Sequence, residues 1–443
     1  MEIKVENFGK IKSARINLED YTIFIGNNNS GKTYLMQLIY GLLVELKNIH
    51  NSKNKIFKSL PFKIDFTNIK KLVDCINEWI AENKMEIVKT IFSESLEIGK
   101  IEIAIDSYKY KNYNSSELKI LAKKDLDENV FSFNDEYRES EGPFLCLVDR
   151  EGFVIILDDE FSMRKDRLRA WNFFISNVME DLLSTELGSD CLYLPASRSG
   201  LNLVYKEILA GQASYRFSEM DFRNRMNPQK LGLTRPVFDY MLFLQKYRFD
   251  SDTSMSNRSE IEFINKKIIK GEISNKGNGI RYKTDTGKEL PLYLSSSMVN
   301  ELSPIIHLLT SSNDIGYIFY DEIETSQHPT TQLQLARLLN RLVNIGYKLI
   351  VSTHSDTMAA AINNILYLSK MKNEKKVMKS RRYESADLLK KKNVHAYQFI
   401  SKNGLTKVEE VPWQGDIGLG FDFTLFNKSN EILVDDYNAM REV

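Results

Sequence analysis

A chain of 443 residues, 42% hydrophobic and 11% aromatic, has the material for a sizeable core and, by length alone, for two or three domains. Sixty basic residues balance sixty acidic ones, so net charge favours neither nucleic acid nor membrane, and any basic patch has to be local. Cys75, Cys146 and Cys191 are widely spaced with no C-x-x-C pair, which argues against a disulfide framework and a zinc site. No apolar run approaches the roughly 20 residues of a bilayer span. The N-terminus opens directly into structure without the apolar core of a signal peptide, so the expectation is a soluble, cytoplasmic protein with no membrane partner.

Met1-Glu2-Ile3-Lys4-Val5 alternates as an edge strand does, Asn7-Phe8-Gly9-Lys10 turns, and Ala14-Arg15-Ile16-Asn17-Leu18 alternates again. These two strands predict a small antiparallel sheet laid beside a parallel one. Thr22-Ile23-Phe24-Ile25 is a β-branched and aromatic run suited to a buried strand. It leads into Gly26-Asn27-Asn28-Asn29-Ser30-Gly31-Lys32-Thr33, which reads G-x-x-x-x-G-K-[ST]. An apolar helix continues from Tyr34. Glycines let the backbone wrap a phosphate, and the helix start points free N–H groups at the anion. Lys32 would reach the β- and γ-phosphates and Thr33 would hold Mg²⁺. Strand, loop and helix stand in the order a nucleotide site requires.

From about Asn48 to Asp190 the pattern changes. Leu72, Ile76, Trp79, Ile80, Ile87 and Ile91 recur at helical spacing between Phe66 and Phe92, and Ile101 to Ile105 alternates as a strand. Two apolar runs flank Asp149-Arg150-Glu151-Gly152, which predicts a hairpin. Leu168, Trp171, Phe174, Ile175, Val178, Met179 and Leu182 share one face of an amphipathic helix. Cys191 to Leu194 is a buried-type strand ending at Pro195-Ala196-Ser197-Arg198-Ser199-Gly200. The helical stretch beyond it carries Arg216, Arg223, Arg225, Lys230 and Arg235, read as a solvated face with a nucleic-acid surface as the alternative. No sustained heptad predicts a coiled-coil arm. The expected organisation is a discontinuous core (1–47, 191–204, 281–443) with a mixed α/β insertion at 48–190 and a helical lobe at 205–280.

Four further signals follow Leu294. Ser295, Ser296 and Ser297 stand before a helical run through Leu309, where small hydroxyl residues cap a helix and also bind an anion. Tyr317-Ile318-Phe319-Tyr320-Asp321-Glu322 is an apolar strand ending in two carboxylates. Asp321 is placed to hold the Mg²⁺ shell and Glu322 to polarise an attacking water as general base. Glu324 with His328-Pro329 forms a turn before a helix, beside the same edge. Lys348 to Ser355 is another buried strand with His354 at its carboxyl end, the edge where open α/β sheets bind ligands, so His354 can reach the γ-phosphate.

Taken in order, these residues resemble the nucleotide-binding domain of the ABC/SMC ATPases: Walker A at Gly26–Thr33, signature at Leu294–Met298, Walker B at Ile318–Glu322, D-loop near Glu324–Pro329 and switch histidine at His354. The expected fold is therefore α/β, a P-loop ATPase head with a mixed sheet, an antiparallel β lobe and helical insertions. Ser297 stands where that signature usually carries glycine. No glutamine loop is assigned; the Pro195–Arg198 turn occupies the comparable region. The Asn-Asn-Asn-Ser loop, Tyr193-Leu194-Pro195-Ala196-Ser197-Arg198 and the Ile-Glu-x-x-x-His-Pro turn are similar to those of stand-alone OLD-like ATPases, including the ATPase subunits of anti-phage systems such as PARIS and Septu. The resemblance implies ATP and Mg²⁺ in composite sites of a head-to-tail homodimer, or a higher assembly of dimers, each site closed by the other chain's Ser295–Ser297. It also implies a separate nuclease or toxin as effector.

Residues Ile362 to Val443 are short for the Toprim nuclease that OLD proteins carry, and Glu431, Asp435 and Asp436 read as a solvated end. Lys370 to Lys392 holds ten basic and three acidic residues, read as a mobile loop with nucleic-acid or partner contact as the alternative. Val394–Ile400 and Thr406–Val411 read as closing strands around Asn403-Gly404. Two functions from different classes follow: an ATPase acting as sensor and scaffold in phage defence, or a RecF-like DNA-binding repair ATPase. An ABC transporter subunit ranks behind both, because the insertions exceed what that fold uses.

Overall fold

Alternation sets the first two elements. Ile3, Val5 and Phe8 are buried in β1 (Glu2–Phe8), and Ile11, Ala14 and Ile16 in β2 (Ile11–Asn17). The structure, a computed structural model, describes residues 1–47, 62–65, 69–105, 117–122, 137–138, 144–149, 152–157, 190–196, 198–218, 232–246, 257–275, 280–311, 315–371, 374–389, 392–414, 420–423, 434–435, 437–438 and 440. β3 (Tyr21–Gly26) is buried along its whole length and feeds the loop that starts α1 (Lys32–Lys47). Next come β4 (Phe62–Asp65), α2 (Ile69–Phe92), β5 (Ile98–Ala104), β6 (Glu117–Ala122), β7 (Tyr137–Arg138), β8 (Phe144–Asp149), β9 (Gly152–Leu157) and β10 (Asp190–Leu194). α3 (Arg198–Ser218), α4 (Arg235–Gln245) and α5 (Arg258–Phe263) lead through a π-helical turn to β11 (Gly271–Asn275), β12 (Ile280–Thr284) and β13 (Glu289–Pro291). The order ends with α6 (Ser297–Thr310), β14 (Ile315–Tyr320), α7 (Pro329–Asn344), β15 (Lys348–Thr353), α8 (Asp356–Lys370), α9 (Glu374–Arg381), β16 (Val394–Lys402) and β17 (Leu405–Val411).

One nine-stranded sheet, in the order β10-β14-β15-β3-β16-β17-β2-β1-β5, organises the described residues. Its half from β10 to β16 is parallel, and β1 pairs antiparallel with both β2 and β5. The fold is α/β with a mixed sheet and an antiparallel lobe. The N-terminal strands do not make a sheet of their own, as the alternation suggested. β17 pairs antiparallel with β16 and parallel with β2, splicing the lobe onto the parallel half. Residues 48–190, expected as an insertion, contribute β5 to the edge of this sheet and α2 to its core. β4, β6, β7, β8 and β9 form a separate five-stranded sheet, with the expected hairpin pairing Asp149 to Gly152. β11, β12 and β13 make a third sheet. The amphipathic stretch 168–182 and Arg223, Arg225 and Lys230 lie outside the described residues.

Both faces of the parallel half are covered, which is why its strands read as continuous apolar runs. Tyr21, Ile23 and Ile25 of β3 pack with Ile318, Tyr320, Leu349 and Val351 beneath α4, α6, α7 and α8. Phe24 faces the other way, with Tyr193, Phe319, Ile350, Tyr397 and Phe399 beneath α1 and α2. Gly41 lets those two helices touch, since a Cβ there would lie 2.3 Å from Cγ1 of Ile91. Among the described residues no helix is long and apolar enough to cross a membrane.

The basic stretch Lys370–Lys392, expected as a mobile loop, is α9 followed by a 3₁₀ turn at Ser385–Asp387 where it is described. The reason is Asp387. Its buried carboxylate accepts from Arg337 Nε (2.9 Å) and Arg341 Nε (2.7 Å) of α7, and from the Glu384 N–H (2.8 Å). Asn340 and Asn344 donate to the backbone carbonyls of Asp387, Ala386 and Leu388, which fixes the turn against the helix. Arg235 has an equally structural partner in Asp239, at 2.7 Å.

Candidate functional site

The loop Gly26–Thr33 sits at the carboxyl end of β3 and closes onto the first turn of α1. Gly26 has φ +156° and lies against β16; a Cβ there would meet Phe399 Cβ at 2.9 Å and its carbonyl oxygen at 3.0 Å. Gly31 takes φ +96° and Asn29 φ +60°, the left-handed backbone that bends the loop around a hollow. Asn27, Asn28 and Asn29 are exposed, Thr33 is half-buried, and Ser30 is buried with its hydroxyl unpartnered. Lys32 is 6% exposed and folds back on the loop, donating from Nζ to Gly26 O (2.7 Å) and Asn27 O (3.0 Å). Burial lowers its pKa, a pull opposed by the nearby charges of Asp321, Glu324 and Glu322. The hollow is a cavity of about 990 Å³ lined by this loop, the β1–β2 turn with Lys10 and Lys12, and by Glu322 and His354.

Asp321 and Glu322 follow β14 on the same edge, beside β15 and then β3. Asp321 is 1% exposed, with its carboxylate held from two sides: Ser352 Oγ donates to Oδ1 (2.5 Å) and Tyr193 OH to Oδ2 (3.0 Å). Glu322 has φ +44°, a conformation a non-glycine residue adopts only when its surroundings impose it. Burial and the Asp321 charge raise its carboxyl above 4.5, partly offset by His354 and Lys32. Glu324, in the following turn, is 7% exposed. Its Oε1 accepts from the His354 N–H (2.6 Å) and faces His354 Nδ1 at 2.9 Å. That contact raises His354 above 6.5 against the effect of burial. Burial pushes the Glu324 carboxyl up, but the hydrogen bonds from His354 prevail and hold it below 4.5. The buried edge thus carries an imidazole pinned in one orientation by a carboxylate.

The structure brings Lys32, Asp321, Glu322 and His354 to one strand edge, as their sequence positions suggested. Ser295, Ser296 and Ser297 lie elsewhere: the described lining of the cavity includes none of them. Ser296 caps α6, accepting from the Val299 N–H at 3.4 Å; Ser295 Oγ donates to Leu292 O (2.6 Å), and Ser297 is exposed. Tyr293 and Leu294 beside them are 65% and 61% exposed. Sequence reading missed the partners of the edge: Tyr193 and Ser352 on Asp321, Glu324 on His354, and Arg198 on the Asp321 and Glu322 carbonyls. A tyrosine inside a buried strand was a signal, because its hydroxyl needs a partner there.

Several solved structures resemble the chain across most of its length with little sequence in common. The SMC head bound to the C-terminal winged-helix domain of ScpA is 11% identical, covering 94% of this chain and 98% of that one, with a TM-score of 0.38. The SMC head domain from Thermotoga maritima is 11% identical over 93% and 98%, at 0.34. The Smc head domain with an extended coiled coil, bound to the C-terminal domain of ScpA derived from Pyrococcus furiosus, is 10% identical over 98% of each chain, at 0.36. Scores this low leave the fold to be read from the sheet order itself. No curated protein matches the chain. A family model described as AAA ATPase domain matches residues 1–144 and 243–359, more than half of the sequence and all of Gly26–Thr33, Ser295–Ser297, Asp321, Glu322 and His354. On that match, the chain belongs to the AAA ATPase domain family.

Proposed function

We propose that this protein is an ABC/SMC-type ATPase whose two identical pockets are each shared between two copies of the chain. One observation carries the reading: Lys32, Glu322 and the Glu324-held His354 border a single cavity under a phosphate-shaped loop. The loop fits a triphosphate, because it holds a buried lysine and an unpartnered buried Ser30 hydroxyl beside a glycine cradle. Thr33 and Asp321 are the residues to hold Mg²⁺, and the Asp321 carboxylate keeps lone pairs beyond those used by Ser352 and Tyr193. Bound there with ATP, the ion would neutralise charge on the phosphate oxygens.

Glu322 accepts a proton from water as the water oxygen attacks the γ-phosphorus and the bond to the ADP oxygen breaks. Its raised pKa makes it a better base than an exposed glutamate. His354, whose protonated form the Glu324 contact favours, stabilises the charge that develops on the transferred phosphoryl group. Ser295–Ser297 of a second copy close the pocket with the start of α6. In the finer reading the ATP-driven dimer controls a separate effector in anti-phage defence, a role supported by the likeness of the Tyr193–Arg198 and Ile323–Pro329 segments to OLD-like ATPases.

The experiment is light scattering on the Glu322→Gln protein with ATP and Mg²⁺. A stable dimer is the expected result; a monomer that binds ATP would overturn the shared pocket. A second reading, a DNA-binding repair ATPase, draws on the exposed Lys375, Lys376, Lys379, Arg381 and Arg382 of α9 and the residue after it. DNA binding that weakens steeply with salt and disappears when these residues are neutralised would favour it; no binding at low salt would remove it.

A further inference from the structure

Arg198 and Glu301 are both fully buried, each with a side chain 0% exposed. Arg198 opens α3, and Glu301 lies one turn into α6 beyond Ser297. Their ion pair, Nε to Oε2, measures 2.7 Å, and the other Glu301 oxygen accepts from the Ser199 N–H at 3.1 Å. The far side of the guanidinium points at the site. One terminal nitrogen donates to Pro195 O (2.7 Å) and Asp321 O (2.6 Å), the other to Glu322 O (3.2 Å), and the plane lies 4.6 Å over the Tyr320 ring. Arg198 therefore grips the carbonyls on both sides of the Glu322 residue, whose φ is +44°. Ser352 Oγ accepts from the Glu322 N–H between them, at 2.9 Å.

We infer that Arg198 is a positioning residue that ties the seating of α6 to the pose of Glu322. The inference rests on the reading of Glu322 as the hydrolytic base and of the α6 start as the surface that meets the other copy's nucleotide. A left-handed glutamate persists only where neighbours over-determine it, and the planar fork of arginine can hold two successive carbonyls while a carboxylate anchors it from behind. Lysine, a point charge, cannot make all three contacts. An apolar pair of similar volume would fill the same space without the cost of burying two charges. What an apolar pair cannot do is hold the main chain around Glu322. A shift of α6 moves Glu301, Glu301 moves Arg198, and Arg198 moves the turn that carries the base. Asn202, donating to Asn300 O at 2.8 Å, keeps α3 and α6 in step at the next turn.

The test is steady-state ATP hydrolysis by the full chain carrying Arg198→Lys, Glu301→Gln or both, with thermal melts and equilibrium binding of a fluorescent ATP analogue alongside. Each single substitution is expected to lower kcat at least tenfold with the KM for ATP within twofold. The double variant is expected to be no slower than the slower single, since both remove one linkage. A kcat within twofold of the unaltered chain, a loss confined to KM, or multiplicative losses would overturn the assignment. So would failure of both single variants to melt cooperatively, because the pair would then hold the fold rather than the site. Glu322→Gln is run in parallel. If it hydrolyses ATP at the unaltered rate, the base assignment fails on its own; if it is inactive while Arg198→Lys is unaffected, only the coupling fails.

Discussion

Two clusters of buried charge sit at opposite ends of α7, and they are built on opposite plans. At Asp387 the charges are closed off: two arginines, a backbone N–H and a capped turn take up the carboxylate, while Phe263 stacks on Arg341 at 4.1 Å. At the strand edge Asp321 and Glu324 have partners, but the polar groups around them are left incomplete. Ser30 Oγ, Glu324 Oε2 and both polar atoms of the Gln327 side chain are buried without a partner, and Glu322 and Ser326 take left-handed backbone. A satisfied cluster fixes structure, whereas unsatisfied groups and backbone strain around a cavity mark a place built to receive something.

The contrast breaks if the closed cluster also governs turnover. Asp387→Ala strands two buried guanidiniums and is expected to cost about 3–5 kcal/mol in denaturant unfolding, with kcat per folded molecule unchanged. Glu322→Gln should do the reverse, lowering kcat by about a hundredfold or more with melting temperature and ATP binding retained. A large change in stability there, or a large change in kcat at Asp387, would dissolve the distinction. Gly26→Ala is expected to weaken ATP binding at least tenfold and to lower stability as well, because its Cβ meets Phe399 and φ is +156°. Binding within twofold would show that the loop has room the geometry denies.

The smallest effect concerns pH. His354 is raised above its unfolded value, so its pairing with Glu324 is complete below about pH 6.5 and fades as pH climbs through the raised pKa. Glu324 is lowered, so its share is present above its unfolded value and lost as acid protonates it. His354→Gln should therefore lower the melting temperature at about pH 6 and have no effect well above the raised His354 pKa. An equal loss at both would show that the pair is not ionic.

How much of this was legible beforehand varies with the range of the interaction. The loop Gly26–Thr33, the carboxylates after β14 and the histidine after β15 are local patterns, each a strand followed by a polar residue. The sheet then gathers them because parallel strands present their carboxyl ends to one edge. Arg198, Tyr193 and Glu301 carry no local pattern. Their roles depend on β10 lying beside β14 and α3 against α6, contacts between segments distant in sequence. The place of β5 is of the same kind: it pairs with β1 in register Ile3 to Ile103, which no property of either strand announces. Lys370–Lys392 misled for another reason. Ten basic residues suggested a loose segment, while a single aspartate among them decided the packing.

β5 and β10 follow one another among the strands of the large sheet, yet they form its two margins. Residues 105–189 therefore leave from one border and return at the other, at opposite ends of the strand order. The returning end is the strand whose Tyr193 hydroxyl touches Asp321. The span is thus tethered to both borders at once, with one of its two moorings a single phenol from the buried Asp321 carboxylate.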